Sequence, residues 1–141
     1  MMDVIHGYRT IFPAPIAQGA SFDPEISKRA ASVAARETSA AGIHVVFSPM
    51  VDLVRDRAGG VSWTTGEDPY LNSRFAAAQI HGFQGDDMKE DGKVCGCIKH
   101  FAGYGGAEAE EYNTVQVSEH TFREYYLPPM KPESKPEPVW S

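Results

Sequence analysis

The sequence predicts an α/β fold with parallel strands. Two segments opening on Asp-Pro read as helices, and two short apolar runs lack any helical period. The two kinds alternate along the chain, which is the order of βαβ architecture.

The first helical segment is "SFDPEISKRAASVAARETSAAG". Asp23 caps it, Pro24 takes the first helical position and Gly42 closes it. Ile26, Ala30, Val33 and Ala34 fall on one face at helical spacing, while Lys28, Arg36 and Glu37 can face water. "EDPYLNSRFAAAQIHGFQG" repeats the plan with Asp68 as cap, Pro69 first, and Leu71, Phe75 and Ala78 on the stripe. A third, shorter helix is expected after Ser118, with Phe122, Tyr125 and Tyr126 on its apolar side and Pro128 ending it. Between these lie "GIHVVFSP" (42–49) and "VCGCI" (94–98), short runs that read as strands buried on two faces. A strand stub around Asp3–His6 precedes them all. Cys95 and Cys97 sit one residue apart in the second strand and point the same way, so a disulfide between them is geometrically improbable. They read as small buried hydrophobes.

The 141 residues amount to one domain, and 42% hydrophobic content is enough to bury a core. Residues 1–127 carry the alternating pattern. Residues 128–141, "PPMKPESKPEPVWS", alternate Pro with charge and are expected to be extended or disordered. A closed barrel of eight βα units needs about 250 residues, so about three units form a slice of one. A net charge of -6 argues against nucleic acid or an anionic membrane as partner. No apolar run approaches the roughly 20 residues that span a bilayer, and the start "MMDVIHGYRT" shows no signal-peptide pattern. Compartment and oligomeric state are left open.

In parallel α/β folds, chemistry collects where strands end and loops begin. Three places qualify: Asp3 to Gly7, Ser48 to Asp52, and Lys99-His100 at the end of a dry strand, followed by the glycines of "GYGG". Each has a plainer alternative. Lys99-His100 is also what the solvated start of a loop looks like, Asp3 is also a plausible frayed terminus, and Asp52 with Arg55 and Asp56 also reads as exposed loop ion pairs worth little. The five histidines show no i,i+4 pairing and no Cys/His grid, so no metal site is expected, and no cofactor either. Phosphate-loop and nucleophile-elbow patterns are missing.

Five blocks in order, "DVIHGYRTIFPAPIAQGASFDPE", "AGIHVVFSPMVDLVRD", "TGEDPYLNSRFAAAQIHGFQG", "KHFAGYG" and "EYNTVQVSEHTFREYYLPP", resemble the N-terminal barrel domain of glycoside hydrolase family 3, close to bacterial β-glucosidases. The likeness covers roughly residues 2–129 and implies part of a (β/α)8, TIM-like barrel. It implies a carbohydrate substrate of β-glucoside type, hydrolysed with retention. Asp3 matches the family aspartate of the D-x-x-H-G block, and Lys99 and His100 match the Lys-His pair; in the family all of these grip the non-reducing sugar. The roles suit the ligand, because a sugar offers only hydroxyls and needs a charged acceptor and charged donors in fixed positions.

Two departures stand out. The family loop R-D-P-R-W-G-R becomes "RDRAGGV" (55–61), with Gly60 or Val61 where a sugar-binding arginine belongs. The family's basic residue before Y-N-T becomes acidic in "EAEEYNT" (108–114). The family's nucleophilic aspartate lies on a later strand and its general acid usually on a following domain, so the resemblance implies a remainder of the barrel and a second domain that these residues do not include. Hydrolysis with retention needs two carboxyl groups about 5–5.5 Å apart, and no catalytic pair can be nominated here. The expectation is a hydrolase fragment that binds sugar without cleaving it, or alternatively a truncated, non-catalytic remnant.

Overall fold

A computed structural model describes residues 1–55, 63–105 and 116–131 of the chain. It opens on an extended segment through Met2, then α1 (Pro15–Gly19), α2 (Pro24–Ala40), β1 (Val45–Val46), α3 (Pro69–Gln84), β2 (Cys95–Gly96) and α4 (Glu119–Thr121). The fold is α/β with parallel strands. Met2 bridges Val46, Val45 pairs with Cys95, Val46 with Gly96, and the pairing resumes at Met50 and Lys99. Regular ladder is shorter than the predicted runs because the register slips by one residue between the pair Val46 with Gly96 and the pair Met50 with Lys99, where the Pro49 carbonyl accepts from Lys99 N at 3.1 Å.

The helices form where their caps dictate. Asp23 Oδ1 accepts the Glu25 amide at 3.1 Å, and Asp68 Oδ1 accepts that of Leu71 at 2.6 Å. At the end of α2 the Gly42 amide donates to Ser39 O at 2.9 Å and that of Ile43 to Thr38 O at 3.0 Å, a Schellman closure. α1 has no counterpart in the sequence reading, since five residues carry no period. It is tied down by its buried Gln18, whose amide donates to Pro13 O at 2.7 Å and whose carbonyl takes the Ser27 hydroxyl. The third predicted helix begins at its Ser118 cap, whose hydroxyl accepts Thr121 N at 3.1 Å. It widens into a π-helical turn over Phe122–Tyr126 and ends in a 3-10 turn over Pro128–Met130, with Pro129 buried. Residues 132–141 of the expected tail lie outside the described residues.

Two expectations about burial are corrected. The buried face of α2 is Ser27, Ala30, Ala31, Ala34, Ala35 and Thr38, whereas Ile26 is exposed and Val33 half-buried. The face is turned because α3 lies so close that a Cβ on Gly82 would stand 2.6 Å from Ala31 Cβ, and only small side chains fit there. The strands, in turn, are buried on one face only. Val4, Val46 and Val94 meet Ala31, Ala34, Ala35 and Phe83 in a single core beneath the helices. By the two-residue alternation of a strand, Asp3, Val45, Cys95, Cys97 and Lys99 look the other way. Cys97 is therefore exposed and Cys95 half-exposed, both free thiols rather than buried hydrophobes.

Candidate functional site

The outward face of the sheet carries Asp3 and Lys99, two of the polar residues that the sequence singled out. Lys99 Nζ lies in contact with Asp3 Oδ1, joining the first strand segment to the end of the β2 strand across 96 positions of sequence. The Asp3 side chain is 59% exposed and that of Lys99 22%. An exposed pair of this kind contributes only about 0–1 kcal/mol to folding, so stability does not account for it. What it does provide is an acceptor and a donor side by side at the strand ends.

His100 follows Lys99, but its ring turns to a different partner. Nδ1 meets Asp52 Oδ2 at 2.8 Å, and the His100 amide donates to both Asp52 oxygens at 3.2 Å. The other side of the ring packs on Tyr104, with centroids 5.3 Å apart. Asp52 is 2% exposed and His100 is partly open to solvent, so the imidazole stands between a buried carboxylate and water. Burial pushes the Asp52 carboxyl above its ordinary value of 3.8, while the hydrogen bonds and charge of His100 pull it back. Asp52 stands at a candidate strand end as expected, but the alternative reading of it as a loop ion pair with Arg55 and Asp56 does not hold. The carboxylate is inside, and its partner is 48 residues away. Only the strand-end position of "SPMVD" hinted at this.

The loop after β1 is held from behind. Asn72, in the first turn of α3, donates to Val51 O at 2.9 Å and Asp52 O at 3.2 Å, and takes the Thr65 hydroxyl on its own oxygen at 2.9 Å. Val51 N donates to Lys99 O at 2.8 Å, and Arg55 N to Gly105 O at 2.9 Å. Gly105, at φ 112°, sits so tightly on Leu53 that a Cβ would overlap the Leu53 carbonyl. The close backbone approach expected of "GYGG" is thus present at its third residue. His6 goes to local structure: its Nδ1 donates to Phe12 O at 2.8 Å, and the ring packs on Trp63. The altered loops at 56–61 and 108–114 lie outside the described residues. A groove of about 700 Å³, lined among others by Tyr70, Arg74, Arg123 and Leu127, lies beside α3 and includes none of Asp3, Lys99 and His100. Among the described residues, no helix is long and apolar enough to cross a membrane.

Comparison with known proteins finds glycosidases. The periplasmic β-glucosidase of Salmonella typhimurium is 37% identical over 131 residues, which are 92% of this chain and 17% of that protein. A β-xylosidase of Formosa agariphila is 36% identical over 89% of the chain and 18% of its own length. Among solved structures, a mutant β-glucosidase of Listeria innocua in complex with laminaribiose superposes with a TM-score of 0.86 at 50% identity, covering 92% of this chain and 19% of that one. The chain spans less than a fifth of the length of these relatives. Residues 1–133 match the glycosyl hydrolase family 3 N terminal domain, and the chain belongs to that family.

Proposed function

We propose that this chain forms about three βα units of a (β/α)8 barrel, over residues 1–127, and supplies one wall of the sugar site of a retaining glycoside hydrolase acting on β-linked glucosides or related sugars. Asp3 accepts from sugar hydroxyls, and Lys99 and His100 donate to them. The observation that carries this reading is the contact between Lys99 and Asp3, with His100 next in the chain, on the face of the sheet away from the core. Charged donors and acceptors in fixed positions are what a ligand made of hydroxyls requires. The β-glucosidase of Listeria innocua has been solved with glucose, isofagomine and gluconolactone, which supports a hexose-sized ligand. The family resemblance nominates none of these 141 residues as nucleophile or general acid, so in this reading the chain binds sugar without cleaving it.

Titration of the ¹⁵N-labelled chain with isofagomine and with glucose tests the reading. Shifts centred on Asp3, Lys99 and His100, abolished in Asp3→Ala, are expected. Shifts scattered elsewhere, or none, would overturn it. In parallel, the chain should not hydrolyse an aryl β-glucoside above background. Turnover that disappears in Asp3→Asn would show that it carries a catalytic group after all.

A further inference from the structure

We infer that Asp52 is a positioning residue, which fixes the orientation and ring tautomer of His100 so that Nε2 alone is presented to the ligand. The inference extends the proposed sugar-binding role of His100 and rests on it. Its basis is how the two strands part. Up to Lys99 they are joined by backbone bonds, Lys99 N to Pro49 O and Val51 N back to Lys99 O. Beyond that point side chains take over the ladder's duties. Asn72 satisfies the carbonyls of Val51 and Asp52, and the Asp52 carboxylate receives the His100 amide. The same carboxylate reaches the imidazole at 2.8 Å. One side chain therefore holds both the backbone and the ring of His100, which leaves the ring little freedom to rotate.

The identity of the residue matters. Two donors converge on Asp52, the amide and Nδ1–H, and an ionised carboxylate is the side chain that accepts without offering a donor in return. An ionised Asp52 can only accept, so at 2.8 Å the proton belongs on Nδ1, and in the neutral ring Nε2 is the free nitrogen. In the protonated ring Nε2–H donates to a hydroxyl, which is the role proposed above, and in the neutral ring the same nitrogen accepts from one. Burying a carboxylate costs several kcal/mol unless hydrogen bonds compensate it, and the only side-chain partner that Asp52 has among the described residues is His100. The anchor is itself fixed from α3. Asn72 is buried, clamps the Asp52 backbone and is oriented by the Thr65 hydroxyl, so the position of His100 is tied to the start of a helix.

The test is ¹⁵N NMR of the imidazole in the 141-residue chain, compared with Asp52→Asn. In the wild-type chain at a pH where the ring is neutral, Nδ1 should be the protonated nitrogen and Nε2 the bare one. Asn keeps the size of Asp but replaces one acceptor with an NH₂ donor, which opposes one of the two incoming N–H groups. The variant should lose the Nδ1–H tautomer and bind isofagomine about tenfold more weakly, as loss of a charge-assisted hydrogen bond predicts. A wild-type ring in the Nε2–H form, in the free-imidazole mixture, or in a random-coil spectrum overturns the inference without recourse to the variant. So does an Asp52→Asn chain whose tautomer is unchanged. If wild-type His100 shows the expected tautomer but the chain binds no sugar, the positioning stands and the proposed binding role fails.

Discussion

Glu37 and Thr10 face each other across 27 positions of sequence, with the Thr10 hydroxyl donating to Oε1 at 2.6 Å. The other carboxylate oxygen takes the amides of Arg9 and Thr10 at 2.8 and 2.9 Å. One side chain of α2 thus holds the turn that follows the Asp3 segment.

The Thr10 hydroxyl and amide hold the Glu37 carboxyl below its ordinary value of 4.5, with help from Arg9. A depressed folded-state value means that the bonds contribute above the unfolded value and are lost as pH falls through the folded one. Glu37→Gln should therefore lower the urea midpoint at neutral pH and make little difference in strong acid. A constant difference across that range would show that the carboxylate is not the acceptor.

Asp52 has the opposite sign. Burial raises its folded-state value above 3.8, so the folded chain binds the proton more tightly than the unfolded one. Its contribution to stability then declines as pH rises from the ordinary value through the raised one. In Asp52→Asn this decline should be missing from the pH profile of chemical denaturation, even if the variant is less stable overall.

Gly82 separates two opposing effects of alanine. In an isolated helix Gly→Ala gains about 1 kcal/mol, but here the new methyl would meet Ala31 Cβ at 2.6 Å and press on the α2 backbone. Overpacking costs typically about 1–3 kcal/mol. Gly82→Ala should therefore be net destabilising, read as a lower denaturation midpoint. A stabilised variant would mean that the helices can part at little cost.

Asn72→Ala should be among the costlier single changes. It leaves the Val51 and Asp52 carbonyls and the Thr65 hydroxyl without their partner in a buried place. A buried polar group left unsatisfied costs about 1–3 kcal/mol, so a loss above about 2 kcal/mol is expected from equilibrium unfolding.

The thiols give a test that needs no mutation. Cys97 is exposed and Cys95 only partly so. Maleimide labelling of the folded chain, followed by mass spectrometry, should modify Cys97 first. Equal protection of both would restore the buried reading.

What the sequence revealed follows from which physics is local. Asp23-Pro24 and Asp68-Pro69 announce helix starts because a cap and a preset φ act within one turn, and both caps are in place. Alternation told strand from helix but not which faces were covered, since cover comes from elsewhere in the fold. For the same reason Cys97 is exposed against expectation, and the buried face of α2 keeps Ala30 and Ala34 of the expected stripe but not Ile26 or Val33. Composition favoured the larger side chains, and the real constraint was a close helix contact at Gly82. Asp3, Lys99 and His100 could be singled out from strand ends and family likeness. Asp52 could not be promoted above them, because its worth depends on a partner brought close only by the folded chain.

The two-residue alternation of the strands sets Val4, Val46 and Val94 on one side, and Asp3 and Lys99 on the other. The arrangement makes the sheet a partition between two sets of demands. Steric fit governs the helix side, and under the proposed role ligand chemistry governs the open side, so neighbouring residues answer to different masters. Outward side chains such as Asp3 and Lys99 can be exchanged without renegotiating the valine core, whereas His100, held by the buried Asp52, stays tied to the interior.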